Sequence, residues 1–236
     1  MSVAPPILVI GDSHASFFAG SRMIVPPHPA DPLRTAAFEV HHVGPGLAAS
    51  LVERESENNT RSKALEALRG REPDTTRAVL LCFGEIDCRF HILRRAGTGA
   101  DLARIQRSIE VTAHRYLSFV LEVAMEGFRP IVFGPVATTP LRYDPPYEWP
   151  TLGSTSERNG ITRGLTRVLG NLCEIREIAF VSIFEDLINS DLQTRAEFYF
   201  DGVHLGPTAW PLFVEGMREA APDLRPTLDA IALENG

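Results

Sequence analysis

Two polar clusters far apart in this chain are built from residue types that acyl-transfer chemistry uses. In Gly11-Asp12-Ser13-His14 a serine hydroxyl follows directly on the apolar run Ile7-Leu8-Val9-Ile10, and in Asp201-Gly202-Val203-His204 an acid stands three residues before a histidine. A serine becomes a nucleophile when a neighbouring base takes its proton. An imidazole serves as that base when a carboxylate holds its other ring nitrogen. An Asp three residues before a His in a turn can bring its carboxylate to one ring nitrogen and leave the other for a serine. Each cluster alone has a plainer reading. Asp, Ser and Gly are preferred helix caps, so Ser13 by itself caps a helix as readily as it attacks a carbonyl. Asp201 and His204, taken alone, are most simply a surface acid and a capping histidine.

Two further stretches carry polar or backbone groups that can meet a ligand. Gly44-Pro45-Gly46 follows the run Phe38–Val43, and Gly84-Glu85-Ile86-Asp87-Cys88-Arg89-Phe90-His91 follows Ala78–Phe83. Gly44 or Gly46 lets the backbone approach a ligand and present an amide, although a tight turn accounts for both glycines equally simply. His41 and His42 are adjacent on an expected strand and point to opposite faces, which makes them poor ligands for one shared metal.

The elements that must position these groups follow from hydrophobic pattern. Short apolar runs at Ile7–Ile10, Phe38–Val43, Ala78–Phe83, Ile131–Phe133 and Phe180–Phe184 read as five strands, and the first four stop at glycine. Uniformly apolar strands alternating with helical patterns predict a parallel sheet whose functional groups gather at one edge. Helices are expected over Ser13–Met23, with Phe17 and Phe18 inward, and after Asn58-Asn59-Thr60. Others are expected from Asp101 to Gly127, over Ser156–Arg176, and from Pro207 onward with Trp210, Phe213, Val214 and Met217 inward. The stretch from Ala137 to Thr155, with Tyr143, Tyr147 and Trp149, reads either as a loop shaping a substrate pocket or as a surface loop pinned by its own aromatics.

A length of 236 residues suits a single domain spanning 1–236, with 44% hydrophobic and 22% charged residues excluding disorder. A net charge of −7 with scattered arginines argues against a nucleic-acid partner. No segment has the length of a membrane span, and the N-terminus lacks the charged and apolar regions of a secretion signal. The three cysteines, Cys82, Cys88 and Cys173, cannot all pair and form no zinc-like set. A cytoplasmic protein without metal or cofactor is expected; the sequence says nothing of oligomeric state.

Together the four clusters, in this order along nearly the whole chain, resemble the blocks of the SGNH, or GDSL-type, hydrolase family. That resemblance implies a three-layer α/β/α sandwich around a central five-stranded, mostly parallel, flavodoxin-like sheet. It implies Ser13 as nucleophile, His204 as general base and Asp201 as the residue orienting the imidazole. The amides of Ser13 and of Gly44 or Gly46 match oxyanion donors, and Asp12, Glu85, Asp87, Arg89 and His91 join them as oxyanion or substrate-binding candidates. The third block departs from the family's Gly-x-Asn-Asp, because Ile86 stands where the asparagine would donate. Arg89 and His91 are the available substitutes, and Arg89 is favoured for its permanent charge. An ion pair with Glu85 would instead make Arg89 architectural. The expected function is a serine esterase removing a small acyl group, such as acetyl, from a hydroxyl of a carbohydrate or other small-molecule ester. The alternatives are an acyltransferase with the same triad and a non-catalytic binder of acylated ligands.

Overall fold

Short apolar runs, four of them ending at glycine, become strands of one sheet. The computed structural model describes residues 6–53, 58–72, 74, 76–97, 99–141 and 151–234, with backbone alone from 230 onward. Strands β1 (Ile7–Gly11), β3 (Phe38–His42), β4 (Ala78–Cys82), β5 (Arg129–Phe133) and β6 (Ala179–Val181) run parallel, and β2 (Leu33–Arg34) pairs antiparallel with β3 at the edge. The sheet order is β2-β3-β1-β4-β5-β6, so it has six strands rather than the expected five. The added strand has only two residues, Leu33 and Arg34, too few to show an alternating pattern. Without that edge, the order is the flavodoxin-like one, whose direction of winding reverses between β1 and β4. Such a switch point opens a crevice at the carboxyl ends of the strands.

Alternate residues of each strand enter two cores, one on each face of the sheet. Leu8 and Ile10 of β1 face α1 (Thr60–Glu66), α3 (Leu102–Met125) and α4 (Thr155–Ile175), while Ile7 and Val9 face α5 (Trp210–Ala220) and α6 (Arg225–Glu234). This makes three layers. A short helix, α2 (Ile92–Ala96), lies before α3. Asp101 caps α3 by accepting from the Arg104 amide, and Ser154 and Glu157 form a reciprocal capping box on α4.

The segment after β1 is a 3₁₀ helix, Ser13–Ala19, shorter than the expected Ser13–Met23 and closed by Gly20 at φ 72°. Phe17 and Phe18 are buried as expected, and their rings pack with Phe38, Phe133, Trp210 and Phe213 at centroid distances of 4.9–6.3 Å. Fully burying a side chain of this size contributes on the order of 1.5–3 kcal/mol. The consequence is positional: the element carrying Ser13 is fixed to α5, the helix that follows His204.

The chain after Asn58 enters α1 through Asn59 at φ 50°, with no side-chain cap; Asn58 Nδ2 instead donates to the Pro45 carbonyl at 3.0 Å. The last expected strand is shortened to Ala179–Val181, because Phe184 opens a 3₁₀ turn, Phe184–Leu187. Cys82, Cys88 and Cys173 are buried and unpaired. No helix among the described residues is long and apolar enough to cross a membrane.

Candidate active site

Ser13 stands where β1 ends. Gly11 is required there by space: a Cβ on it would lie 2.4 Å from the Cys82 carbonyl oxygen of β4. The Asp12 amide donates to that same carbonyl at 3.2 Å, and the Asp12 carboxylate accepts from the His14 amide at 2.9 Å. Asp12, not Ser13, is therefore the cap of the helix. Ser13 keeps its hydroxyl free for another partner.

That partner comes from a loop near the other end of the chain. Tyr199 and Leu205 form an antiparallel bridge, and the Phe200 amide donates to the His204 carbonyl at 3.1 Å, which places Asp201 to His204 at the tip. Asp201 Oδ1 accepts from the Val203 and His204 amides at 2.9 and 2.7 Å, while Oδ2 lies 2.7 Å from His204 Nδ1. His204 Nε2 lies 2.8 Å from Ser13 Oγ. Serine, imidazole and carboxylate thus form one hydrogen-bonded line, the geometry in which a base and its orienting acid activate a hydroxyl. Burial, and next the nearby charge of His14, push the His204 pKa down to about 4 against the opposing pull of Asp201. Neutral His204 is the form able to accept a proton.

The two glycines after β3 separate by environment. Gly46 is a packing glycine, because a Cβ would meet Thr60 Cγ2 at 2.6 Å and Phe83 Cε1 at 3.1 Å. Gly44 sits at φ +91° with open space around its Cα, the nearest atom to an added Cβ being Lys63 Nζ at 3.8 Å. Asp87 holds the loop beyond them: it is fully buried and accepts from the Ala48 and Ala49 amides at 2.7 and 3.4 Å. Burial raises its pKa to about 6 despite Arg95 and those amides. With no exposed surface, Asp87 cannot touch a substrate; its place is beneath the loop.

Behind Ser13 lies a second group of charged side chains. His14 Nε2 is 3.3 Å from Glu85 Oε2, and Arg89 Nε is 3.5 Å from the same oxygen. Asp12, His14, Glu85 and Arg89 are all buried. Desolvation opposes the charge on Glu85, but Arg89 and His14 outweigh it and hold its pKa at about 2. Desolvation also opposes a proton on His14, yet the Glu85 hydrogen bond and the Asp12 charge raise its pKa above the ordinary value. Asp12 is raised to about 6 by burial, with His14 pulling the other way. Ile86 is buried as well and offers no donor. Arg89 thus pairs with Glu85 through Nε, an atom that makes no hydrogen bond, and its guanidinium is held beside Ser13's neighbours Asp12 and His14.

The remaining candidates make other contacts. The His91 ring packs edge-on against Phe90 at 5.2 Å, and burial together with Arg95, Arg94 and Arg89 lowers its pKa to about 4. His41 binds Glu39 at 2.8 Å and His42 binds the Val25 carbonyl at 2.6 Å, in separate directions. Among the described residues no group of three or more His, Cys, Asp and Glu could hold a metal. Tyr143, Tyr147 and Trp149 lie outside the described residues.

Some positioning residues were not singled out by sequence. Arg158, buried on α4, donates to Thr138 Oγ1, to the Thr139 carbonyl and to the Gly153 carbonyl, and Asn159 accepts from the Thr138 amide. The Tyr199 hydroxyl donates to the Ala137 carbonyl at 2.7 Å, tying the histidine loop to the exit of β5. A polar residue on the apolar stripe of a helix was the available signal for Arg158 and Asn159. His14 was visible in the first motif but had no partner to give it a role.

No family model matches the chain, and no curated protein matches it in sequence. Solved structures share its fold. A GDSL-like lipase from Bacteroides thetaiotaomicron superposes with a TM-score of 0.52 at 10% identity, covering 93% of this chain and 91% of its own. A protein of Bacteroides fragilis designated an acylhydrolase gives 0.53 at 12% identity, covering 96% and 92%. A catalytic variant of an acetylxylan esterase from Geobacillus stearothermophilus gives 0.51 at 16% identity, covering 94% and 96%. The α/β fold of this chain is that of the GDSL-type hydrolases among those structures.

Proposed function

We propose that the chain is a serine esterase of the GDSL type that removes a small acyl group, acetyl in the first instance, from a hydroxyl of a carbohydrate or similar polar molecule. The observation that carries this reading is the 2.8 Å hydrogen bond between His204 Nε2 and Ser13 Oγ, with Asp201 on the far ring nitrogen. Ser13 Oγ attacks the ester carbonyl while its proton passes to His204 Nε2. The tetrahedral intermediate collapses to acyl-Ser13, and the departing alkoxide takes that proton from His204. Water then repeats the sequence, giving its proton to His204 and releasing the acid and Ser13. Asp201 keeps the imidazole oriented and offsets the positive charge it acquires.

The oxyanion receives the amides of Ser13 and Gly44, and a terminal amino group of Arg89 takes the place of the amide side chain missing at Ile86. Gly44 is chosen over Gly46 because its Cα is open and Gly46 is wedged against Thr60 and Phe83. The kinship in fold to an acetylxylan esterase supports an acetylated sugar as substrate class. The test is covalent labelling by a fluorophosphonate probe together with hydrolysis of short-chain aryl esters and acetylated sugars. Labelling and hydrolysis are expected, and both vanish in Ser13→Ala. Folded protein that takes no label at Ser13 would instead be a binder of acylated ligands, and a product that grows on added alcohol acceptor would mark a transferase.

A further inference from the structure

The triad leaves one buried histidine at its back without a task. The His14 ring lies 4.9 Å from the His204 ring, centroid to centroid, tilted by 42°. Nothing about Ser13 requires a histidine next in sequence, and a buried imidazole costs stability unless its polar atoms are matched. His14 is matched on one side only: Nε2 meets Glu85, while Nδ1 has no hydrogen-bond partner. Asp12 Oδ2 and Glu85 Oε1 are likewise unpartnered, and all three side chains line one cavity of about 10 Å³, the size of a single water.

The charged and titratable groups around His14 come from four parts of the fold. Asp12 approaches from the exit of β1, Glu85 and Arg89 from the exit of β4, His42 from the end of β3, and His204 from the loop before α5. At neutral pH, with Asp12 and Glu85 ionised and Arg89 positive, one more positive charge makes the buried group neutral. His14 is the remaining member able to supply it. A cation fixed there lies against the face of His204, where it disfavours a second proton at close range.

We propose that His14 and Glu85 form a positioning pair for the base: Glu85 holds His14 positive against His204, with Asp12 adding to this near neutral pH, and so keeps His204 neutral and able to accept the Ser13 proton. The pair also makes protonated His204 a stronger acid than an ordinary imidazolium, which favours handing the proton on to the departing alcohol. Calling His204 the base rests on the esterase reading; the electrostatic coupling of the two rings does not.

The experiment is an NMR titration of the imidazole signals in the full chain, with His14 and His204 identified by their loss in His14→Gln and His204→Gln. In the wild type His14 should titrate above the ordinary histidine value and His204 below it. In His14→Gln the His204 midpoint should rise by about one pH unit or more, and the acid limb of kcat/KM for p-nitrophenyl acetate should rise with it. In Glu85→Gln the His14 midpoint should fall. A purely structural His14 would lower stability and leave the His204 midpoint where it was, and that result overturns the proposal. Wild-type protein in which His14 titrates below His204 overturns it too, without need of a folded variant. A shifted midpoint in protein that cleaves no ester supports the coupling and counts against the esterase reading alone.

Discussion

His204–Asp201 and His14–Glu85 are one chemical pair, a histidine with a carboxylate, set in two surroundings a few ångströms apart. At the first the contact is 2.7 Å, the acid side chain is 35% exposed, and two backbone amides satisfy its other oxygen. At the second the contact is 3.3 Å, neither side chain is more than 5% exposed, and the acid faces an arginine. The imidazole protonation follows the surroundings. His204 is pushed down to about 4 and His14 is raised, although both sit beside an acid. The difference is the company: each ring feels two carboxylates, His14 those of Glu85 and Asp12 and His204 those of Asp201 and Glu85, but His204 also faces the charge of His14 itself. Residue type supplies an acid–base pair, and neighbours decide which one moves protons.

The comparison breaks most visibly at its exposed member. Asp201→Asn keeps the turn's acceptor oxygen but inverts the demand on His204 Nδ1, and kcat is expected to fall by about 10⁴-fold with the fold intact; an active variant would leave Asp201 only its part in the turn. At the buried pair the largest effect belongs to its arginine. Arg89→Ala should cost about 10²–10³ in kcat, the loss of one oxyanion donor, with little change in KM. Full activity in well-folded Arg89→Ala would confine that side chain to its ion pair with Glu85.

The smallest effect concerns stability rather than rate. Glu85 is held near 2, below its ordinary 4.5, so its contribution is complete above 4.5 and is lost as pH falls through about 2. Glu85→Gln should therefore be less stable to urea at neutral pH by about 2 kcal/mol, the worth of a hydrogen bond to a charged group. The gap between the two proteins should narrow as pH falls from 4.5 towards 2. A gap that stays constant across that range would deny Glu85 its ionised state in the native protein.

Much of the frame could be read in advance because it rests on local pattern. Five apolar runs, the first four of them ending at glycine, marked five of the six strands, and the alternation of β1 side chains between two cores follows from strand geometry. Ser13, Asp201 and His204 stood out by type and spacing. What resisted reading depends on distant neighbours. The strand Leu33–Arg34 has too few residues for a pattern, and its pairing is decided by β3. Gly44 and Gly46 look alike in sequence and part only through Thr60 and Phe83. Asp87, next in motif to Glu85, turns instead to the amides of Ala48 and Ala49, some forty positions earlier. His14 acquires a partner only when Glu85, 71 positions away, is folded against it.

The serine and the histidine that meet at 2.8 Å are 191 positions apart. During synthesis the hydroxyl therefore leaves the ribosome long before any base exists to activate it, and it is joined by one only after β4, β5 and β6 have emerged. A nascent or prematurely terminated chain that stops short of the second cluster carries an inert alcohol, and reactivity arrives late, together with the aromatic contacts that lock the last helices onto the sheet.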